Sequence, residues 1–82
     1  MVIVRTVPAF DKAMRKLKDE AVKLHVKKQI RKIIVNPEIG KPMRYNRQGT
    51  REVYVAPFRL AYLYVKNEDT VTFLDLYHKD EQ

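Results

Sequence analysis

The part of the chain after residue 50 holds three apolar runs, each rich in β-branched and aromatic residues. Ala56-Pro57 separates the first run from the second, because proline cannot donate a hydrogen bond within a sheet. The polar segment 66–69 separates the second run from the third and has the composition of a hairpin turn. These breaks predict three consecutive strands, at about 51–56, 58–65 and 70–77. Strands that follow one another so closely pair antiparallel and need other elements to cover one face of their sheet.

The first half of the chain supplies that cover, because its apolar residues recur at helical spacing in two stripes. The first stripe follows Pro8, a residue type favoured at helix starts, with Thr6 as a candidate cap. Asp19-Glu20 marks either a turn or the first turn of the second helix, and Asn36-Pro37 ends that helix. The two stripes consist of Phe10, Ala13, Met14 and Leu17, and of Val22, Val26, Ile30, Ile33 and Ile34.

A short β-branched run, Val2-Ile3-Val4, predicts one more strand at the start of the chain. The predicted order is therefore β-α-α-β-β-β over a single domain, residues 1–82, which is the length expected of one small domain. The predicted fold class is α+β, with a helical hairpin packed on one face of an antiparallel sheet.

The amino-acid composition excludes several kinds of chemistry. The chain contains no cysteine, and therefore no disulfide, thiolate metal site or cysteine nucleophile. It also contains no serine, no glycine-rich phosphate loop, and no group of His, Asp and Glu at metal-ligand spacing, so we expect neither a metal nor a cofactor. The sequence has neither an apolar run of transmembrane length nor the features of a signal peptide, and we expect a cytoplasmic protein.

Positive charge is concentrated in the N-terminal half and in the segment 41–59, within a formal net charge of +7. This distribution predicts a nucleic-acid partner or an acidic protein partner, and the alternative is a soluble surface with excess lysine. Aromatic and basic side chains together can stack on bases and hold phosphates. The candidate nucleic-acid contacts are Lys41, Arg44, Arg47, Arg51, Tyr54 and Tyr77.

Two polar residues interrupt the last two strands. Arg59 stands in an otherwise apolar run, where its planar guanidinium would suit a phosphate; alternatively it forms an ion pair with Glu52 or Asp75. His78 ends the last strand as a candidate proton-transfer group, or is simply exposed there. A joint role on one phosphate requires both side chains on the same face of the sheet.

Four strings, in this order, resemble the RelE/ParE toxin superfamily of bacterial and archaeal toxin–antitoxin systems, and the resemblance spans nearly the whole chain. PAFDKAMRKL is similar to that family's first helix, NPEIGKPMRY to its basic loop, REVYVAPFRLAYLY to its paired strands and FLDLYHKDEQ to its last strand. The resemblance implies a small toxin that an antitoxin neutralises by wrapping around it. It also implies, for RelE-like members, cleavage of mRNA in the ribosomal A site without a metal, with the 2′-hydroxyl as nucleophile.

The resemblance implies roles for individual residues. Arg59 matches a strand arginine that contacts the scissile phosphate and would stabilise the charge of the transition state. His78 matches a histidine of the YoeB-like branch, a candidate acid for the leaving 5′-oxygen, and Lys79 falls near a basic residue of RelE-like members. Lys41 and Arg44 match the basic loop, where phosphate contacts are expected.

The sequence also departs from that pattern. Glu52 and Tyr54 stand where RelE-like members often have basic residues, and Asp80 stands where an arginine is usual. The late tyrosine of many members has no counterpart. A general base is not evident, and Glu52 is the one candidate that we can name.

The resemblance therefore leaves three functions open. The first is a ribosome-dependent mRNA endonuclease that inhibits translation, with the ribosome and mRNA as partners. The second is a ParE-like toxin that inhibits DNA gyrase by protein binding, and the third is a catalytically inactive homologue that binds antitoxin or RNA. For all three we expect an acidic, partly helical, RelB-like antitoxin as a partner, with scope for higher-order toxin–antitoxin assembly.

Overall fold

The structure, a computed structural model, describes residues 2–43 and 49–81, in which two helices pack on one face of a five-stranded sheet. The predicted α+β class is confirmed. The helices are α1, Pro8–Lys16, and α2, Glu20–Val35. The strands are β1 (Ile3–Thr6), β2 (Lys41–Pro42), β3 (Thr50–Val55), β4 (Phe58–Val65) and β5 (Thr70–His78). Short 3₁₀ turns lie at Lys66–Glu68 and Lys79–Glu81.

The strands lie side by side in the order β1-β5-β4-β3-β2. The strands β2 to β5 pair antiparallel, but β1 runs parallel to β5, which corrects the expectation of a wholly antiparallel sheet. Both helices separate β1 from the later strands, so no tight turn fixes its direction. The sequence patterns also missed β2, because two residues are too short for any alternation.

Each helix boundary has an identifiable local cause. Pro8 occupies the first turn of α1, as predicted, but the expectation of Thr6 as its cap is wrong: Val7 is the cap residue and makes no side-chain hydrogen bond to the helix. The Thr6 hydroxyl instead donates to the Asp11 carboxylate at 3.3 Å. Asp19 caps α2, because its carboxylate accepts the backbone N–H groups of the next turn. That helix ends directly before Asn36-Pro37, which confirms the predicted stop.

The core lies between the helices and one face of the sheet. Phe73 packs against Phe10 of α1, with ring centroids 5.5 Å apart, and against Tyr62 of β4, at 6.2 Å. The buried core residues are Phe10, Leu17, Val26, Ile33, Val55, Leu60, Tyr62, Val71, Phe73 and Leu76. Among the described residues, neither helix is long and apolar enough to cross a membrane.

A β-bulge interrupts the pairing of β4 with β5. Tyr62 lies opposite Phe73, whereas Ala61 lies opposite Asp75, so Leu74 is an extra residue on β5. Because side chains alternate between the two faces of a strand, one extra residue exchanges the faces of everything beyond it. The bulge therefore decides which side chains at the end of β5 meet the helices.

Candidate functional site

Arg59 projects from the face of the sheet that the helices leave uncovered. Its neighbour Leu60 is fully buried beneath the helices, and adjacent side chains on a strand point to opposite faces. Residues directly opposite each other on paired strands share a face, and Arg59 lies opposite Tyr54 of β3 and Tyr77 of β5. By the same register, Lys41 of β2 lies opposite Glu52. We call this surface the open face; the polar residues on it that concern the candidate site are Lys41, Glu52, Tyr54, Arg59, Asp75 and Tyr77.

The centre of the open face is the Glu52 carboxylate, which joins side chains from three strands. Arg59 Nη1 donates to Glu52 Oε1 at 2.7 Å, and the Tyr77 hydroxyl donates to Glu52 Oε2 at 2.8 Å. Glu52 is 16% exposed and Arg59 35% exposed, so water reaches the pair from one side. We call these three residues the Glu52–Arg59–Tyr77 cluster.

The Arg59 guanidinium is not fully used by this cluster. Its Nε is buried and has no hydrogen-bond partner within residues 2–43 and 49–81. A buried donor without a partner costs free energy, which an added acceptor recovers. An incoming phosphate offers several anionic oxygens, and the guanidinium fork presents its donors to such a group in one plane.

An aromatic and a cationic side chain lie beside this cluster. Tyr54 is 53% exposed, and Lys79 Nζ lies 6.0 Å from its ring centroid. A cation at that distance from a tyrosine face is weakly attracted to it. The pair offers an aromatic face to a base and a positive charge to a phosphate, which are the two contacts that single-stranded RNA requires.

His78 lies on the other face of the sheet, with the helices. It is opposite Phe58, which it meets edge to face with ring centroids 5.7 Å apart. It lines a cavity of about 400 Å³ beneath α1, together with Lys12 and Lys16. The requirement that Arg59 and His78 share a face is therefore not met, and the expectation that they act on one phosphate is wrong. The physical reason is the bulge at Leu74, which sets Tyr77 rather than His78 beside Arg59.

The polar partner of His78 is Asp80, two residues later in the chain. Its Nδ1 accepts a hydrogen bond from the Asp80 backbone N–H at 3.2 Å and lies 3.7 Å from the Asp80 carboxylate. A ring held in this way in the last turn of the chain stabilises the end of β5. Within the described residues, no group of three or more His, Cys, Asp or Glu side chains could hold a metal ion.

Comparisons with known proteins show the family and the fold of this chain. A family model described as the ParE toxin of the type II toxin–antitoxin system parDE matches residues 4–82. This chain belongs to the ParE toxin family. The match covers nearly the whole sequence and confirms the resemblance to the RelE/ParE superfamily, so the chain is a toxin of a type II toxin–antitoxin system. No curated protein sequence matches it.

Several solved structures share the fold of this ParE-family toxin. The intact RelBE toxin–antitoxin complex of E. coli matches with a TM-score of 0.81 and 17% identity, over 95% of this chain and 96% of that one. The isolated E. coli RelE toxin matches with a TM-score of 0.83 and 16% identity, over 100% and 88%. The RelBE2 complex of Mycobacterium tuberculosis matches with a TM-score of 0.78 and 24% identity, over 95% and 98%. At these identities the likeness establishes the fold of the toxin.

Of the predicted RNA contacts, Arg51 is the one that the structure moves away from the open face. It lies on β3 opposite Tyr62, so its side chain is on the helix-covered side. Arg51 Nη1 donates to the backbone carbonyls of Glu38, at 3.0 Å, and Gly40, at 2.8 Å. Its guanidinium holds the loop before β2, which corrects the expectation that it joins the basic surface. Arg44 and Arg47 lie outside the described residues.

Sequence reasoning gave two residues of this toxin too little weight. Glu52 was named only as a possible ion-pair partner of Arg59 and as a candidate base, yet it is the residue on which the cluster is centred. Tyr62 had no assigned role, yet its hydroxyl makes two hydrogen bonds to the loop before β2. A signal for Glu52 existed in the sequence, because it is the one acidic residue in the predicted strand that precedes the Arg59 strand.

Proposed function

We propose that this toxin is a metal-independent endoribonuclease that cuts ribosome-bound mRNA, with the open face as its active site. The observation that carries the proposal is the Glu52–Arg59–Tyr77 cluster. It holds a carboxylate and a guanidinium in direct contact, which combines a proton acceptor with a group that stabilises a phosphate. Both are needed to make a ribose 2′-hydroxyl attack its neighbouring phosphate.

The proposed reaction is a transfer within the RNA chain. Glu52 takes the proton of the 2′-hydroxyl as its oxygen forms a bond to phosphorus, and the bond from phosphorus to the 5′-oxygen breaks. Arg59 stabilises the charge that develops on the phosphate oxygens. Lys79, beside Tyr54, gives a proton to the departing 5′-oxygen. The products are a 2′,3′-cyclic phosphate and a free 5′-hydroxyl.

The exposure of the site supports a requirement for the ribosome. The open face is a sheet surface, so it can hold the reacting groups but must receive the RNA already in a reactive conformation. Holding the two reacting groups in the correct geometry contributes much of the rate of such a reaction. We propose that the ribosomal A site supplies that geometry and that Lys41 and Tyr54 contact the RNA from the toxin side.

The test is mapping of new mRNA 5′ ends in a translation reaction that contains purified toxin. We expect cuts inside ribosome-bound codons with the wild-type protein and a loss of at least about 100-fold in rate with Glu52→Gln, because the amide cannot accept the proton. Glu68→Gln is the matched control, since Glu68 is exposed in the turn after β4. Wild-type cutting by Glu52→Gln would refute the role of Glu52 as a base.

A second function has one observation in its favour. The ion pair with Glu52 neutralises the Arg59 charge, which weakens the electrostatic attraction of Arg59 for a phosphate. The alternative function is inhibition of DNA gyrase through protein contacts, which the resemblance to ParE-like toxins implies and which does not require a free Arg59 charge. Inhibition of gyrase supercoiling by the purified toxin, together with unimpaired translation, would favour that function. Neither effect would favour a catalytically inactive toxin that binds only antitoxin or RNA.

We also propose an acidic, partly helical antitoxin as the cellular partner. Two of the similar structures are toxin–antitoxin complexes, and this chain carries a net charge of +7. Opposite charges speed the encounter of two proteins, and salt screens that attraction. The association rate measured with the antitoxin should therefore fall as the salt concentration rises, and a rate independent of salt would contradict an acidic partner.

A further inference from the structure

We infer that Tyr62 and Arg51 are positioning residues, which clamp residues 37–40 to the sheet so that β2 presents Lys41 beside Glu52. The inference deepens the proposed function and rests on it, because Lys41 is there an RNA contact. Neither residue reaches the open face. Both act from the helix-covered side, through the loop that connects α2 to β2.

The first part of the clamp is the Tyr62 hydroxyl. The side chain is fully buried, and its hydroxyl donates to the Pro37 carbonyl and accepts from the Gly40 N–H, each at 2.8 Å. A single side chain in the middle of β4 thereby holds both ends of a four-residue segment. Buried polar groups are placed firmly by such bonds, because leaving either one unmade is costly.

The clamp requires a glycine at position 40. A Cβ atom there would lie 2.5 Å from the Tyr62 hydroxyl oxygen and 2.8 Å from Cε1 of the ring. Contacts that short do not occur between such atoms, so any side chain would push the loop away from β4. Gly40 is therefore present to allow the close approach of the backbone to Tyr62.

The second part of the clamp is the Arg51 guanidinium. It donates to the carbonyls of Glu38 and Gly40, at 3.0 and 2.8 Å, and its side chain is 21% exposed. Arg51 and Tyr62 are direct cross-strand neighbours on β3 and β4. The two side chains therefore bind the same short segment from adjacent positions on the sheet.

The strand β2 needs this clamp because its pairing with β3 is too short to fix its position in the sheet. It consists of Lys41 and Pro42 only, and proline has no N–H to donate to β3. Two residues of ladder pairing are weak on their own. Since the clamp ends at Gly40, immediately before Lys41, it determines where Lys41 enters the sheet and which residue of β3 it faces.

The test of position is nuclear magnetic resonance on Tyr62→Phe, which keeps the ring and removes the hydroxyl. We expect the cross-strand contacts between Lys41 and Glu52 to be lost and the Gly40 amide to exchange with solvent faster, while the pairing of β4 with β5 is retained. Tyr64→Phe is the matched control, since Tyr64 is on the same strand and face and makes no side-chain hydrogen bond within the described residues. Gly40→Ala should reproduce the effect of Tyr62→Phe. Unchanged contacts between Lys41 and Glu52 in both variants would overturn the inference.

The test of consequence uses a single-stranded RNA that carries 2′-O-methyl groups and so resists cleavage. We expect Lys41→Ala to weaken binding and to reduce the dependence of log K on log salt by about 0.7, the value for one phosphate contact with a single strand. Tyr62→Phe should do the same, and the double variant should be no worse than either single variant. Additive losses, or a wild-type salt dependence in Tyr62→Phe, would leave Tyr62 as a purely structural residue.

The two tests separate the inference from the proposed function. If the wild-type toxin binds this RNA without any dependence on salt, the role of the open face in RNA binding fails. The resonance data then still decide whether Tyr62 places Lys41. If the salt dependence is present but the contacts between Lys41 and Glu52 are unchanged in Tyr62→Phe and in Gly40→Ala, the positioning inference fails and the proposed function stands.

Discussion

The two faces of the sheet are made by the same strands, yet they differ in almost every property. The helix-covered face is apolar and closed, with Leu60, Tyr62 and Phe73 at or near complete burial. The open face carries charges that contact one another, centred on Glu52. Along one strand, residues that pack in the core therefore alternate with residues that form the proposed site. The role of a polar residue in this chain therefore depends first on the face of the sheet from which its side chain projects.

The bulge at Leu74 makes that assignment for the end of β5. With unbroken alternation from Phe73, an even-numbered residue such as His78 would share the face of Arg59. The extra residue instead turns Tyr77 toward Arg59 and sends His78 under α1. One inserted residue thus exchanges an imidazole for a phenol at the proposed site.

The largest expected effect tests the helix-covered face. Phe73→Ala removes a ring that packs against Phe10 and Tyr62, and should lower the free energy of unfolding by about 3–5 kcal/mol. Urea unfolding followed by circular dichroism would measure it. Tyr54→Ala removes a ring of similar size from the open face, where it is half exposed, and should cost less than about 1 kcal/mol. Equal losses for the two variants would contradict the division between the faces.

The next effect concerns activity rather than stability. Arg59→Ala should lower the rate of mRNA cleavage on the ribosome by about 100- to 1000-fold, the usual cost of removing one group that stabilises transition-state charge. Arg59→Lys should recover only part of that loss, because an ammonium keeps the charge but lacks the planar fork. Both variants should stay folded, as thermal unfolding would confirm. Full activity in Arg59→Ala would remove the open face from the mechanism.

The decrease in the free energy of unfolding at high pH should depend on Tyr62. Burial raises the pKa of the Tyr62 hydroxyl above its usual value of 10.0. Above pH 10 the unfolded chain loses this proton while the folded chain keeps it. The contribution of Tyr62 to the free energy of unfolding is therefore complete below pH 10 and decreases as the pH rises toward the pKa of the folded state. The slope of one proton is about 1.4 kcal/mol per pH unit.

The comparison that isolates this group is between the wild-type protein and Tyr62→Phe. The free energy of unfolding, measured in urea at pH 9 and at pH 11, should fall further for the wild-type protein than for the variant. The same decline in both proteins would assign the alkaline instability to other groups, such as the remaining tyrosines or the lysines.

Most of the secondary structure could be predicted from local patterns. Three runs rich in β-branched and aromatic residues follow residue 50, and Asn36-Pro37 stops a helix. Those features depend on neighbours in the sequence. The parallel pairing of β1 and the two-residue strand β2 depend on distant partners, which local patterns do not contain.

The site was harder to predict for the same reason. Arg59 was identified because a charge in an apolar run is visible locally, and its ion pair with Glu52 was one of the two alternatives considered. The position of His78 depended on the bulge, for which the sequence gives one faint sign: apolar residues at 71, 73, 74 and 76 break the two-residue period. The position of Arg51 on the helix-covered face could not be predicted, because its partners are backbone carbonyls of a loop.

The smallest expected effect on activity gives the sharpest comparison of the two faces, because it uses consecutive residues. His78→Ala should leave the rate of mRNA cleavage within about twofold of wild type, whereas Lys79→Ala, one residue later but beside Tyr54, should lower it by at least about tenfold. His78→Ala should still cost about 0.5–1.5 kcal/mol of unfolding free energy, because it loses the edge-to-face contact with Phe58. Lys79→Ala would then lose mainly cleavage activity, and His78→Ala mainly stability. A large loss of cleavage in His78→Ala, with stability unchanged, would contradict the assignment of a structural role to His78 on the helix-covered face.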